Sequence, residues 1–243
     1  MSNRKLITSF LVRYSLFMII GYLAEIVLGG GGFGFRWSVL EAIGLGGVLV
    51  LPFMYTSYKI RLASAIAIPL VWQFFLSAGH QNYALMYGFG GPWAVPAWSS
   101  IILFGSALSE IRSKTKEDLF LPMLVAVAVL MSIVGKNAAN FFPISKHLVS
   151  LPYLALSTAV SVFFFAVFVA KETVGGPSFR FLSMVGRNSF AIYVVAGVES
   201  LFVESVFPAS LAIGWVVVVT AAASLFCFLL AWVLDKKKIY IKI

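Results

Sequence analysis

Charge is what this 243-residue chain has least of: 11% of its residues are Asp, Glu, Lys or Arg, less than half of the roughly 25% usual in soluble domains. No polar stretch is long enough to hold a separate soluble activity. Cysteine is nearly absent too. Cys227 stands alone, which excludes an intrachain disulfide or a thiolate metal centre built from this chain. Its place deep in the last apolar stretch reads as that of a small packing residue. Histidine occurs twice, at His80 and His147, too few for a multi-histidine metal or haem site, so no metal is predicted.

What the chain has in abundance is apolar sequence: 61% hydrophobic residues and a mean hydropathy of +0.99. A helix needs about 20 apolar residues to cross the hydrocarbon core. Eight stretches are candidates, at about 6–28, 37–56, 62–79, 94–109, 119–135, 150–170, 189–206 and 211–234. They are long and continuous, whereas barrel strands are short and alternate in polarity. The predicted fold class is therefore all-α: a polytopic integral membrane helix bundle of about eight transmembrane helices in a single transmembrane domain covering residues 1–243.

The Lys and Arg residues orient it, because basic residues accumulate in cytoplasmic loops. With both termini inside, the cytoplasmic segments hold Arg4, Lys5, Lys59, Arg61, Arg112, Lys114, Lys116, Lys171, Arg180, Arg187, Lys236, Lys237, Lys238 and Lys242. The outer segments hold only Arg36, Lys136 and Lys146, and Arg13 lies within the first span near its inner end. This bias supports an even number of spans. It also accounts for the net charge of +9 through anionic lipid headgroups, so membrane lipids are expected partners and nucleic acid is not. The first stretch is too long for a signal peptide and lacks a small-residue cleavage site. A prokaryotic cytoplasmic membrane is the expected location.

Polar groups inside a membrane need a reason. Glu25, Glu41, Glu199 and Glu204 fall within spans, as does Arg13, which is close enough to the inner boundary to snorkel. Glu25 and Glu204 lie near outer span ends. Glu41 and Glu199 are placed in the outer half of the membrane, where each either lines a polar cavity suited to proton transfer or makes a structural hydrogen bond. Gly44, Gly46 and Gly47, Ala65 and Ala67, and Ala221 to Ser224 offer small faces for close helix packing. The run from Gly29 to Gly34 follows a predicted helix and no strand, and reads as a turn between spans, not as a phosphate loop. The outer gap from His80 to Trp93 is aromatic, with Tyr83, Tyr87, Phe89 and Trp93 expected at headgroup level. A second outer gap, residues 136–149, carries Lys136, Asn137, Asn140, Lys146 and His147 and is the most chemically equipped loop.

Several of these landmarks occur in a suggestive order. Phe142 to Tyr153 reads FPISKHLVSLPY, and after an apolar span Gly186 to Tyr193 reads GRNSFAIY. This resembles the heparan-alpha-glucosaminide N-acetyltransferase-like group of multi-span acyltransferases, in which a Pro-x-x-Lys segment entering a helix precedes a Gly-x-Asn helix start ending in Tyr. Arg13 to Gly21 looks like that family's Arg-to-Gly helix, Trp37 to Gly44 like its Val-Leu-Gln-Arg-Ile-Gly segment, and Phe104-Gly105 like the helix that closes with Gly. Two departures stand out. Glu41 and Ala42 occupy the positions of the family's Gln-Arg pair, and Met1 begins after the point where the family has the spans that carry its catalytic histidine. No residue here inherits that histidine, His147 included.

The resemblance implies an acyl-CoA donor, acetyl-CoA or another, presented from the cytoplasmic side to an envelope sugar or lipid acceptor. It implies donor-binding candidates in Arg180, Arg187 and Asn188. The arginines also satisfy the positive-inside rule without any ligand, and both readings stay open. If the chain supplies a base of its own, Glu199, Lys146 and His147 are the candidates. Three functions follow as expectations: an acyltransferase-like protein, incomplete or non-catalytic alone, with a partner membrane protein supplying the missing spans; a non-catalytic subunit or scaffold of a larger membrane complex; and a small-solute transporter.

Overall fold

The computed structural model describes residues 3–28, 37–174, 180–207 and 213–239. Arg36, Lys242 and the Gly29 to Gly34 run lie outside the described residues, as do the side chains of Arg4, Lys5, Glu25, Arg180 and Glu204. The described chain is all helical, with no strand among the described residues. Its helices are α1 (Asn3–Leu28), α2 (Val39–Val50), α3 (Tyr58–Phe75), α4 (Gln81–Met86), α5 (Val95–Lys114), α6 (Glu117–Ala138), α7 (Leu151–Val174), α8 (Arg180–Arg187), α9 (Ser189–Val206) and α10 (Ile213–Lys236).

Five segments are long and apolar enough to cross a membrane: Tyr58–Met86, Pro92–Lys114, Asp118–Ala138, Leu151–Val174 and Ile213–Lys236. Shorter apolar helices occupy Ile7–Leu23, Val39–Tyr55 and Ser189–Glu199. The chain is thus an integral membrane protein by helix length and composition. It forms two compact units, Met1–Gly175 and Gly176–Ile243.

Within the first unit α5 is the central helix. Half of its apolar window is buried, against 28%, 22% and 33% for the windows around α3, α6 and α7. It packs on α2, α3 and α7, while α1 lies on α2 and α6 on α7. Ser99 and Ser100 of α5 are buried but return their hydroxyls to backbone oxygens, to Val95 O at 2.8 Å and Ala97 O at 2.6 Å, so neither leaves an unmet polar group in the apolar interior. Of the predicted small faces, the glycines of α2 bring helices close, while Ala67 and most of Ala221 to Ser224 are exposed. A Cβ on Gly44 would lie 2.7 Å from Tyr14 O of α1, and one on Gly46 would lie 3.2 Å from Ser99 Oγ of α5. Helix α2 therefore uses glycines on two faces to touch two neighbours at once.

The segment from His80 to Trp93, expected to be a loop, is partly helical. After α3 the chain makes a wide π-type turn over Leu76–His80, with Gly79 at φ +96°, and then runs on as α4. Gly79 absorbs the kink because it has no Cβ to clash, and Ala84, Leu85 and Met86 are strong helix formers. His80 stacks on Phe75 at 4.4 Å and tilts against Tyr83 at 5.9 Å. At the other end of the unit, charged residues read as flanking groups lie inside helices. Arg61 sits in the first turn of α3, only 5% exposed. It pairs with Glu110 of α5 and donates to Ser106 O at 3.3 Å. Glu110 also takes Lys114 at 2.6 Å, while Arg112 reaches Glu172 of α7 at 2.7 Å.

In the second unit α10 packs against α8 and α9. The chain breaks between α8 and α9 at Asn188, whose backbone is non-helical at φ −115° and ψ 20°.

Candidate functional site

The sequence-predicted residues fall in three places. Lys146 and His147 belong to the first unit; Arg187 with Asn188, and Glu199, belong to the second.

Lys146 and His147 meet on one ring. The Lys146 ammonium lies 4.7 Å from the centroid of Phe89, and the His147 imidazole stacks on the same ring at 5.4 Å with 29° between planes. Both side chains are exposed, while Phe89 is half-buried. Two loops build this platform, residues 87–94 ahead of α5 and residues 142–150 ahead of α7. Tryptophans and a glutamine on the helices beneath pin them. Trp98 Nε1 donates to Phe89 O at 3.0 Å, Trp72 Nε1 donates to Leu148 O at 3.0 Å, and the Leu151 N–H donates to Gln73 Oε1 at 2.9 Å. Trp72 and Gln73 are themselves buried, so these bonds are shielded from water and are costly to lose.

The loops are also strained at the point where they touch. Phe89 has φ +48° and Val149 has φ +53°, a left-handed conformation that a β-branched residue rarely adopts. Gly90 passes so close to Val149 that a Cβ on it would lie 2.7 Å from Val149 Cγ2. Such strain persists only where the surroundings over-determine it, and costs on the order of 1–3 kcal/mol per residue. The outcome is an ammonium and an imidazole side by side on an aromatic face, open to solvent. That arrangement can hold an anionic or hydroxyl-rich group and offer it a proton acceptor. Lys146 and His147 were legible in the sequence; Phe89 as their common support, and Gln73, Trp72 and Trp98 as its anchors, were not. They lie 9 to 78 positions from their partners, beyond any local spacing rule.

Glu41, weighed as a cavity residue, is closed onto the start of its own helix. The Ser38 N–H donates to Glu41 Oε2 at 3.0 Å and the Ser38 hydroxyl reaches the same oxygen. This is a helix-capping arrangement, and the carboxylate packs where Gly21 leaves room on α1.

In the second unit Arg187 is already engaged. Its guanidinium pairs with Asp235 of α10 at 3.1 Å, and its Nε donates to Ser183 O at 3.3 Å. The next residue, Asn188, is fully buried, and neither atom of its side-chain amide has a hydrogen-bond partner among the described residues. Further along α9, Glu199 faces α10. It takes a hydrogen bond from Cys227 Sγ at 3.3 Å on the wall of a groove of about 520 Å³ between the two helices.

Comparison with known proteins finds no protein-family model, no curated protein and no solved structure that matches the chain.

Proposed function

We propose that this chain is an eight-span protein of a prokaryotic cytoplasmic membrane, with both termini cytoplasmic, that handles the acceptor side of an acyl transfer from acyl-CoA to an envelope sugar or lipid. A partner membrane protein handles the donor side of the transfer. The observation that carries this reading is the Lys146 and His147 pair on Phe89. In this topology the pair faces outward, while the Arg61, Arg112 and Lys114 end faces the cytoplasm, in agreement with the positive-inside rule. Lys146 binds a phosphate or carboxylate of the acceptor, and His147 takes the proton from the hydroxyl or amine that is acylated. Acetyl-CoA is the simplest donor.

Two measurements test it. In a Cys227→Ala background, a cysteine placed at 146 reacts with a membrane-impermeant maleimide in intact cells, and one placed at 114 reacts only after the membrane is opened; the reverse pattern overturns the topology. In membranes of the source organism, labelled acetyl-CoA labels an envelope fraction only when the chain is present. The Lys146→Ala and His147→Ala double variant, at equal protein level, lowers that transfer about tenfold or more, within the usual contribution of general acid–base catalysis. Labelling that does not depend on the chain refutes the reading.

A second reading, a non-catalytic subunit of a larger complex, draws on the pairing of Arg187 with Asp235, which engages a residue proposed for the donor phosphates. Co-purification of the chain in a stable larger assembly, without acetyl-CoA binding at millimolar ligand, selects it.

A further inference from the structure

We propose that the groove between α9 and α10 binds the protonated amine of a single-chain amphiphile, with Glu199 as its counter-charge. This site lies in the second unit and is independent of the acyl-transfer reading.

The groove has the size of a ligand site. Its volume of about 520 Å³ falls within the roughly 300–1,000 Å³ typical of small-molecule pockets. Its walls are apolar over most of their extent, with Ile192 and Val203 on α9 and Val219 and Phe228 on α10. The polar lining residues are Glu199 on α9 and Thr220, Ser224 and Cys227 on α10, with Cys227 in contact with Glu199. Helical register aligns these residues. Positions 220, 224 and 227 share one face of α10, and positions 192, 196, 199 and 203 share one face of α9.

A half-buried carboxylate on a membrane helix requires compensation, and what it receives here is slight. A thiol is a weak donor, and Cys227 supplies one bond of 3.3 Å. Among the described residues no Lys or Arg lines the groove. Arg187, on α8 near the lining residue Val185, is paired with Asp235. Among the described residues the groove therefore offers a carboxylate with no cationic partner in an apolar setting, which suits an organic cation. A bare metal ion is a poorer match. Mg²⁺ or Ca²⁺ requires about six or more oxygen ligands, and Glu199, Thr220 and Ser224 provide fewer. An ammonium pairs with a single carboxylate, which Glu199 supplies, and the apolar walls accommodate the chain attached to it.

The test uses the full chain purified in dodecyl maltoside, with dodecylamine and dodecanol as probes of equal chain length. Native mass spectrometry is expected to show one dodecylamine retained, bound about tenfold or more tighter than dodecanol, a difference of about 1.4 kcal/mol. Glu199→Gln brings the amine down to the level of the alcohol, Glu199→Asp retains the preference, and Ala196→Phe, which fills the groove while leaving the carboxylate, removes both. Equal binding of amine and alcohol by the wild-type chain, or an unchanged preference in Glu199→Gln, assigns the groove to lipid chains and overturns the proposal. Should Glu199→Gln fail to fold, the comparison of amine with alcohol on the wild-type chain decides alone.

Discussion

Replacing Gly44 by Ala tests how α1 is held to α2. A Cβ at that position would sit 2.7 Å from Tyr14 O and 3.1 Å from Met18 N, more than half an ångström inside ordinary contact for the oxygen. Both atoms belong to the backbone of α1, so no side-chain rotation relieves them and the two helices must separate. Overpacking of this kind costs about 1–3 kcal/mol, and a chain of this size loses about 2–4 °C of melting temperature per kcal/mol. A drop of about 2–12 °C is expected for the first unit, followed by intrinsic tryptophan fluorescence in detergent. Gly105, with nothing within 4 Å of its Cβ position, is the control. Ala there gains up to about 1 kcal/mol of helix propensity, so its melting temperature stays level or rises. Gly47 separates the two kinds of contact. Its Cβ would meet the Tyr14 ring, so Gly47→Ala should be rescued by Tyr14→Ala, while Gly44→Ala is not rescued by Met18→Ala. Equal shifts for Gly44→Ala and Gly105→Ala would refute the close-approach reasoning.

Three further outcomes are expected. Glu110→Gln leaves the buried Arg61 guanidinium without its counter-ion and should lower stability more than Glu172→Gln, which removes one partner of an exposed pair and should change it by less than about 1 kcal/mol; denaturant titration of both variants checks the ranking. Gln73→Leu strips the acceptor from the Leu151 N–H at the start of α7 and should cost about 1–3 kcal/mol, read by the same titration. Trp98→Phe deletes the hydrogen bond to Phe89 O and should loosen the loop at residues 87–94, seen as faster hydrogen exchange there while α6 and α7 keep their protection; unchanged exchange refutes the anchoring role.

The helical nature of the chain, its membrane setting and the positions of its apolar stretches were determined by the sequence alone. They depend on local quantities, the length of an apolar run and the cost of leaving backbone polar groups unmet in lipid. The glycines of α2 were legible for a similar reason, since small residues on a membrane helix have few uses other than close approach. Lys146 and His147 stood out as polar residues in a short loop between apolar runs. What the tertiary structure decided is which polar residues meet. Arg61 and Glu110 are 49 positions apart and Gln73 and Leu151 are 78 apart. Helix spacing relates only residues one or two turns away on the same helix. In a membrane segment the faces toward lipid and toward protein are both apolar, so periodicity does not say which face meets which neighbour. Phe89 became a platform only when the loops ahead of α5 and α7 closed on each other at Gly90 and Val149, and Arg187, which reads in the sequence as an available cation, is engaged by Asp235 once α8 and α10 pack.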